Sequence, residues 1–173
     1  MGSSPPANET SGAPAPGETR LDTLAAQVDA IDTLIDLAGE RLLVFDRDLS
    51  EGGWNGVRRA ERLASFLRRS PNARLSIIVH DARYLEAACP RLTALLKVYS
   101  HAMQVWRTGV GARGATDALV IADARHYLHR YHVDQPRATL AIAMPAAAKP
   151  LVARFEEIWA TGEPALGGSV LGL

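Results

Sequence analysis

The stretch DALVIADARHYLHRYHVDQPRATLAIAM, residues 117–144, decides the fold class. It contains three strand-like runs in close succession: ALVIAD ending at Asp123, HYLHRYHVD from His126 to Asp134, and RATLAIAM. Gaps this short leave no room for a crossover helix, so the back of the chain predicts a β-meander.

Upstream the pattern changes. RLLVFDRD (41–48), RLSIIVHD (74–81) and AMQVWR (102–107) read as buried strands. Helical patterns separate them. Trp54, Val57, Leu63, Phe66 and Leu67 form one apolar face between Trp54 and Arg69. A second helical stretch covers Tyr84 to Tyr99 and is restarted by Pro90, because proline suits a first helical turn. Before the first strand, Leu24, Val28, Ile31, Ile35 and Ala38 recur at helical spacing, with Gly39 as a stop. After the meander, Leu151, Val152, Phe155 and Trp159 predict a helix over 149–159. The front half alternates like a parallel βαβ system. The expected fold is therefore α/β, a mixed β-sheet flanked by helices. No internal repeat is visible.

The folded domain is expected over residues 21–162. Residues 1–20 begin MGSSPPANETSGAPAPGET and carry almost no large apolar group, so composition predicts a disordered tail or a linker. The Gly-rich end, 163–173, predicts a flexible tail. Lys plus Arg equals Asp plus Glu at 19 each, and this neutrality argues against general electrostatic capture of nucleic acid or anionic membrane. All basic residues except Lys97 and Lys149 are Arg, whose planar fork suits carboxylate and phosphate. Codon bias explains the same excess. The single cysteine, Cys89, excludes an intramolecular disulfide and a Cys-rich zinc site, and reads as a small buried residue. No run is long and apolar enough for a membrane helix, and the N-terminus lacks a signal-peptide pattern, so cytoplasmic is the default location.

In open α/β sheets, ligands gather beyond the carboxyl ends of parallel strands. Those ends carry Asp46 and Asp48, then His80 and Asp81, with Asp123 as a further candidate. Carboxylates beside a histidine bind metals or share protons; equally, Asp at strand ends caps loops and helices. In HYLHRYHVDQPR, strand alternation puts His126, Leu128, Arg130, His132 and Asp134 on one face. Arg130 and His132, with Arg137 nearby, could hold an anionic group. The bland reading is an edge strand with solvated side chains. FDRDLS suggests a haloacid dehalogenase-type nucleophile loop, but the second strand ends in His80 rather than Ser or Thr. GVGARG (109–114) lacks the following helix that a phosphate loop needs.

The stretch IDTLIDLAGERLLVFDRDLSEGGW, the helix through Phe66 and Leu67, RLSIIVHD, the 117–144 run and LVARFEEIW together resemble one half of a phospholipase D-type unit. The resemblance covers about residues 24–160 and rests on element order and apolar pattern. The chain is more closely similar to a bacterial domain of this type that can follow an acetyltransferase domain. The family signature is His-x-Lys followed by Asp. With Asp123 in the Asp position, Ala118 falls at the Lys and Thr116 at the His. The family reaction uses that His as nucleophile and that Lys to hold phosphate oxygens; Thr and Ala do neither. The resemblance thus implies a pseudoenzyme, with no catalytic residue, cofactor or metal. Single-half members often dimerise, which implies a homodimer.

Three functions are weighed. The first is a non-catalytic module binding an anionic, phosphate-bearing small molecule through Arg130, His132, Arg137, His80 and Arg47, with Asp46 and Asp123 as supporting acidic residues; nucleic acid is disfavoured as the ligand. The second is a homodimerisation or interaction domain with no ligand. The third is a hydrolase of altered mechanism using Asp46, His80 and Asp123.

Overall fold

The computed structural model describes residues 12–166. The elements run β1 (Gly17–Leu21), α1 (Leu24–Leu37), β2 (Arg41–Asp46), α2 (Val57–Arg69), β3 (Arg74–Val79), α3 (Arg83–Ala88), α4 (Pro90–Val98) and β4 (Met103–Arg107). Then follow a single 3-10 turn at Val110–Ala112, β5 (Ala118–Ala122), β6 (His126–Arg130), β7 (Ala138–Ile142), α5 (Pro145–Ala160) and β8 (Glu163–Pro164). The chain has a mixed α/β fold with one eight-stranded sheet, in the order β1-β7-β6-β5-β2-β3-β4-β8. β2, β3 and β4 are parallel, and β5, β6 and β7 form the antiparallel meander. The seam between the halves is the antiparallel β2–β5 pair, in register Leu42↔Ala122 to Phe45↔Leu119.

Both faces of the sheet are covered. Leu42 and Val44 join Leu34, Phe66 and Ile77 in the core beneath the helices before β4. Leu43 and Phe45 join Ile78, Ile121 and Phe155 beneath α5. Covering on two faces explains why LLVF is continuously apolar rather than alternating. Thr23 caps α1, its Oγ1 accepting the Ala26 N–H at 3.1 Å.

Four boundaries differ from the sequence expectations. Glu163 and Pro164, expected in the flexible tail, form β8 and pair with β4; the expected tails at 1–11 and 167–173 lie outside the described residues. Residues 17–20, read with the tail, belong to β1, which pairs antiparallel with β7. An edge strand is held by backbone hydrogen bonds and carries exposed side chains, so hydrophobic patterning misses it. β6 is not an edge strand; it lies between β5 and β7 and ends at Arg130. The chain then turns through 131–137, with Gln135 N–H donating to the His132 carbonyl at 3.0 Å. His132 and Asp134 therefore do not continue the strand face of Arg130. Finally, α5 starts at Pro145, four residues before Lys149, because proline is favoured in a first turn and three alanines follow.

Candidate functional site

The carboxyl ends of β2 and β3 point their terminal side chains to opposite sides of the sheet. Asp46 pairs with Val79, which lies in the core beneath α2–α4, and the next residue, His80, packs edge-on against Phe45, in the core beneath α5. Asp123 lies at the far end, since β5 runs antiparallel to β2. The sheet thus holds Asp46, His80 and Asp123 apart, on two faces and two ends, and does not assemble them into one site.

On the first face, Ala118 stands opposite Arg130 and one step beyond the Phe45–Leu119 pair, beside Asp46. The Asp46 carboxylate accepts the Asp48 and Leu49 N–H groups at 3.2 and 3.3 Å. Burial pushes its carboxyl above the usual range, partly opposed by those two hydrogen bonds. Arg130 is buried. Its Nε donates to the Gln135 carbonyl at 2.7 Å, one Nη donates to the Val133 carbonyl, and the other pairs with Glu51. Arg130 therefore organises the 131–137 turn.

Of the remaining expected anion-binding residues, Arg47 and His80 line two separate clefts, and His132 and Arg137 line neither of them. One, of about 520 Å³, is lined by Arg47 and Arg130 but also by Asp22, Glu51 and Asp134. Arg47 is paired with Asp134 at 3.0 Å. His132 Nδ1 accepts the Asp134 N–H at 3.1 Å. Arg137 makes no ion pair among the described residues, and its carbonyl accepts the Tyr131 N–H.

The other cleft, of about 720 Å³, opens beyond the carboxyl ends of β3 and β4 and contains His80. Arg83, Arg107 and Arg113 line it with Asp81, Glu86 and Glu163. Arg83 forks onto Asp81, holding that carboxyl down at about 2. Arg107 pairs with Glu163 at 2.6 Å. Arg113 makes no ion pair among the described residues. His80 bridges the cleft wall: Nε2 lies 2.7 Å from the Ala115 carbonyl and Nδ1 2.7 Å from Thr108 Oγ1. A carbonyl only accepts, so Nε2 carries a proton and donates it to Ala115. Gly109 donates its N–H to Thr161 Oγ1 at 3.1 Å, and a Cβ there would collide with the Thr161 carbonyl. The 108–115 loop is thereby clamped to the end of α5.

Two groups of residues escaped the sequence reading. The first is the three cleft arginines, Arg83, Arg107 and Arg113, of which Arg107 ends β4 and was reachable by the rule that selected His80. The other group, Asp117, His129 and Arg154, is tertiary: the buried Asp117 carboxylate receives Arg154 Nε at 2.8 Å and Nη2 at 2.5 Å, with His129 Nε2 at 3.1 Å. Burial alone would raise the Asp117 pKa, but the hydrogen bonds from His129 and Arg154 outweigh it and hold the carboxyl far below the usual range. A depressed folded-state pKa adds stability that is present above the unfolded value near 3.9 and lost as pH falls through the folded one. Denaturant unfolding between pH 5 and pH 2 should show wild-type stability falling more steeply than that of Asp117→Asn. Parallel curves would contradict this.

Among the described residues, no group of three or more His, Cys, Asp or Glu is placed to hold a metal ion, and no helix is long and apolar enough to cross a membrane.

Solved structures share this fold, a phospholipase D family member among them. Nuc from Salmonella typhimurium, a phospholipase D family member, superposes with a TM-score of 0.63 at 11% identity, over 88% of this chain and 100% of that one. NucT from Helicobacter pylori gives 0.60 at 8% identity, over 87% and 99%. TrmBL2, an archaeal chromatin protein whose structure shows a novel mode of DNA binding, gives 0.66 at 11% identity over 91% of this chain. The chain spans 57% of the length of TrmBL2. No curated protein matches the sequence. The chain belongs to the family described as domain of unknown function DUF7931, whose model matches residues 23–166.

Proposed function

We propose that the protein is a non-catalytic phospholipase D-like module that binds a phosphate-bearing anion in the cleft beyond β3 and β4. The observation that carries this reading is the convergence of Arg83, Arg107 and Arg113 on one open cleft at the parallel strand ends, with Arg113 not engaged in an ion pair among the described residues. Guanidinium forks recognise phosphate oxygens bidentately. The smaller cleft suits an anion less, because Asp22, Glu51 and Asp134 outnumber its two arginines. Absence of catalysis rests on Thr116 and Ala118 in the family's His and Lys positions, and on the engagement of Arg130, the nearest cation across from Ala118, with internal acceptors.

The test is thermal unfolding against inorganic phosphate, pyrophosphate, nucleotides and short oligonucleotides. A ligand at 100 times its Kd adds about 2.7 kcal/mol of stability. Arg113→Ala is expected to abolish the shift while leaving the ligand-free melting temperature unchanged, because Arg113 has no ion pair to lose. Arg137→Ala, in the 131–137 turn, is expected to leave the shift intact. The reverse pattern would move the site to the 131–137 turn, and no shift with any anion would remove the proposal.

A further inference from the structure

β1 closes one end of the sheet, and its outer edge has no strand beside it among the described residues. Its sequence is Gly17-Glu18-Thr19-Arg20-Leu21, with Pro16 before it and Asp22 after. The ladder shows which backbone groups face outward. Tyr131 N–H donates to the Arg137 carbonyl, so Arg137 turns its backbone groups toward β6. Alternation then turns those of Thr139 and Ala141 toward β6, and those of Ala138, Leu140 and Ile142 toward β1. Their register partners, Leu21, Thr19 and Gly17, face β7. The N–H and C=O of Glu18 and Arg20 are left pointing away from the sheet.

We infer that this edge is a homodimer interface in which β1 of two copies pairs antiparallel about a twofold axis through Thr19, joining the two sheets into one. Only registers that match outward-facing groups give hydrogen bonds. Three such registers exist. One sets Glu18 against Glu18 and offers Pro16, which has no N–H, to Arg20. Another sets Arg20 against Arg20. The third sets Glu18 of each copy against Arg20 of the other. Like charges directly opposite destabilise a strand pair and opposite charges stabilise it, so charge selects the third register. It forms four backbone hydrogen bonds and two ion pairs, with Thr19 facing Thr19.

The side chains are available for this. Glu18 accepts the Tyr127 hydroxyl through Oε1 at 3.3 Å, leaving Oε2 free. Arg20 engages Asp22 only through Nε, leaving both Nη groups. The pairing is isologous and closes as a dimer, unlike an open edge that adds strand after strand. A contact of this size belongs with weak, concentration-dependent interfaces.

Charge exchange tests it. Sedimentation equilibrium over a hundredfold concentration range is expected to show wild-type mass rising toward twice that of the monomer. Glu18→Arg and Arg20→Glu should each remain monomeric at every concentration, and the double variant E18R/R20E should dimerise again. Thr19→Cys should form an intermolecular disulfide under mild oxidation, because facing residues of a non-hydrogen-bonded pair stand about 4.5 Å apart at Cα. Cys89 is buried and should not contribute. Wild-type protein that stays monomeric overturns the inference. So does a dimer that survives both single exchanges, or one whose Thr19→Cys variant fails to cross-link.

Discussion

Arg130→Ala is expected to lower the free energy of unfolding by about 2–4 kcal/mol, because buried acceptors left without a donor cost about 1–3 kcal/mol each while the partly exposed Glu51 is resolvated. The truncation leaves the Gln135 and Val133 carbonyls without their donor and strips Glu51 of its partner. It also opens space beside Ala118, in the row where Asp46 is already buried. Urea unfolding measures the loss. Arg130→Lys should recover only part of it, because one ammonium does not reproduce a planar fork directed at three acceptors. The same experiment separates two roles. A ligand-holding arginine would cost affinity and little stability, so an Arg130→Ala protein of wild-type stability would show that the side chain is not the post of the 131–137 turn.

Asp123→Ala is expected to cost about 3 kcal/mol. The carboxylate accepts three successive backbone donors, Gly39 N–H at 2.7 Å, Glu40 at 3.0 Å and Arg41 at 2.8 Å, tying the β5–β6 turn to the start of β2. A buried donor left unsatisfied costs about 1–3 kcal/mol, and the exposed donors of this set cost less because water replaces the acceptor. Asp123 also sits at φ 52°, a left-handed conformation that Asp tolerates better than Ala. Asp123→Asn keeps an acceptor oxygen and that tolerance, so it should lose roughly a third as much. Equal losses for Ala and Asn would show that the charge, and not the hydrogen-bonding geometry, matters. Asp123 thus has a structural task at the start of β2.

The candidate site was legible only in part. His80 was reachable because a strand ending in a polar pair is a local pattern, and the cleft at β3 does contain it. Arg113 was hidden in a Gly-rich loop whose position depends on the clamp between Gly109 and Thr161. Arg130 and His132 were grouped by strand alternation, but alternation holds only while the strand lasts, and β6 stops at Arg130. Nothing local signals that a guanidinium will fold the next seven residues around itself.

Hydrophobic periodicity alone determined the helices, the buried strands and the split between a parallel front and a meandering back, because burial of apolar surface is written at spacings of two and 3.6 residues. The tertiary structure alone decided which polar residues meet. It placed Asp46 and His80 on opposite faces, carried Asp123 to the far end of the sheet, gathered three arginines at one cleft and added β1 as an edge. Polar partners are chosen by direction and distance across the fold, and hydrogen bonds leave no periodic trace in the chain.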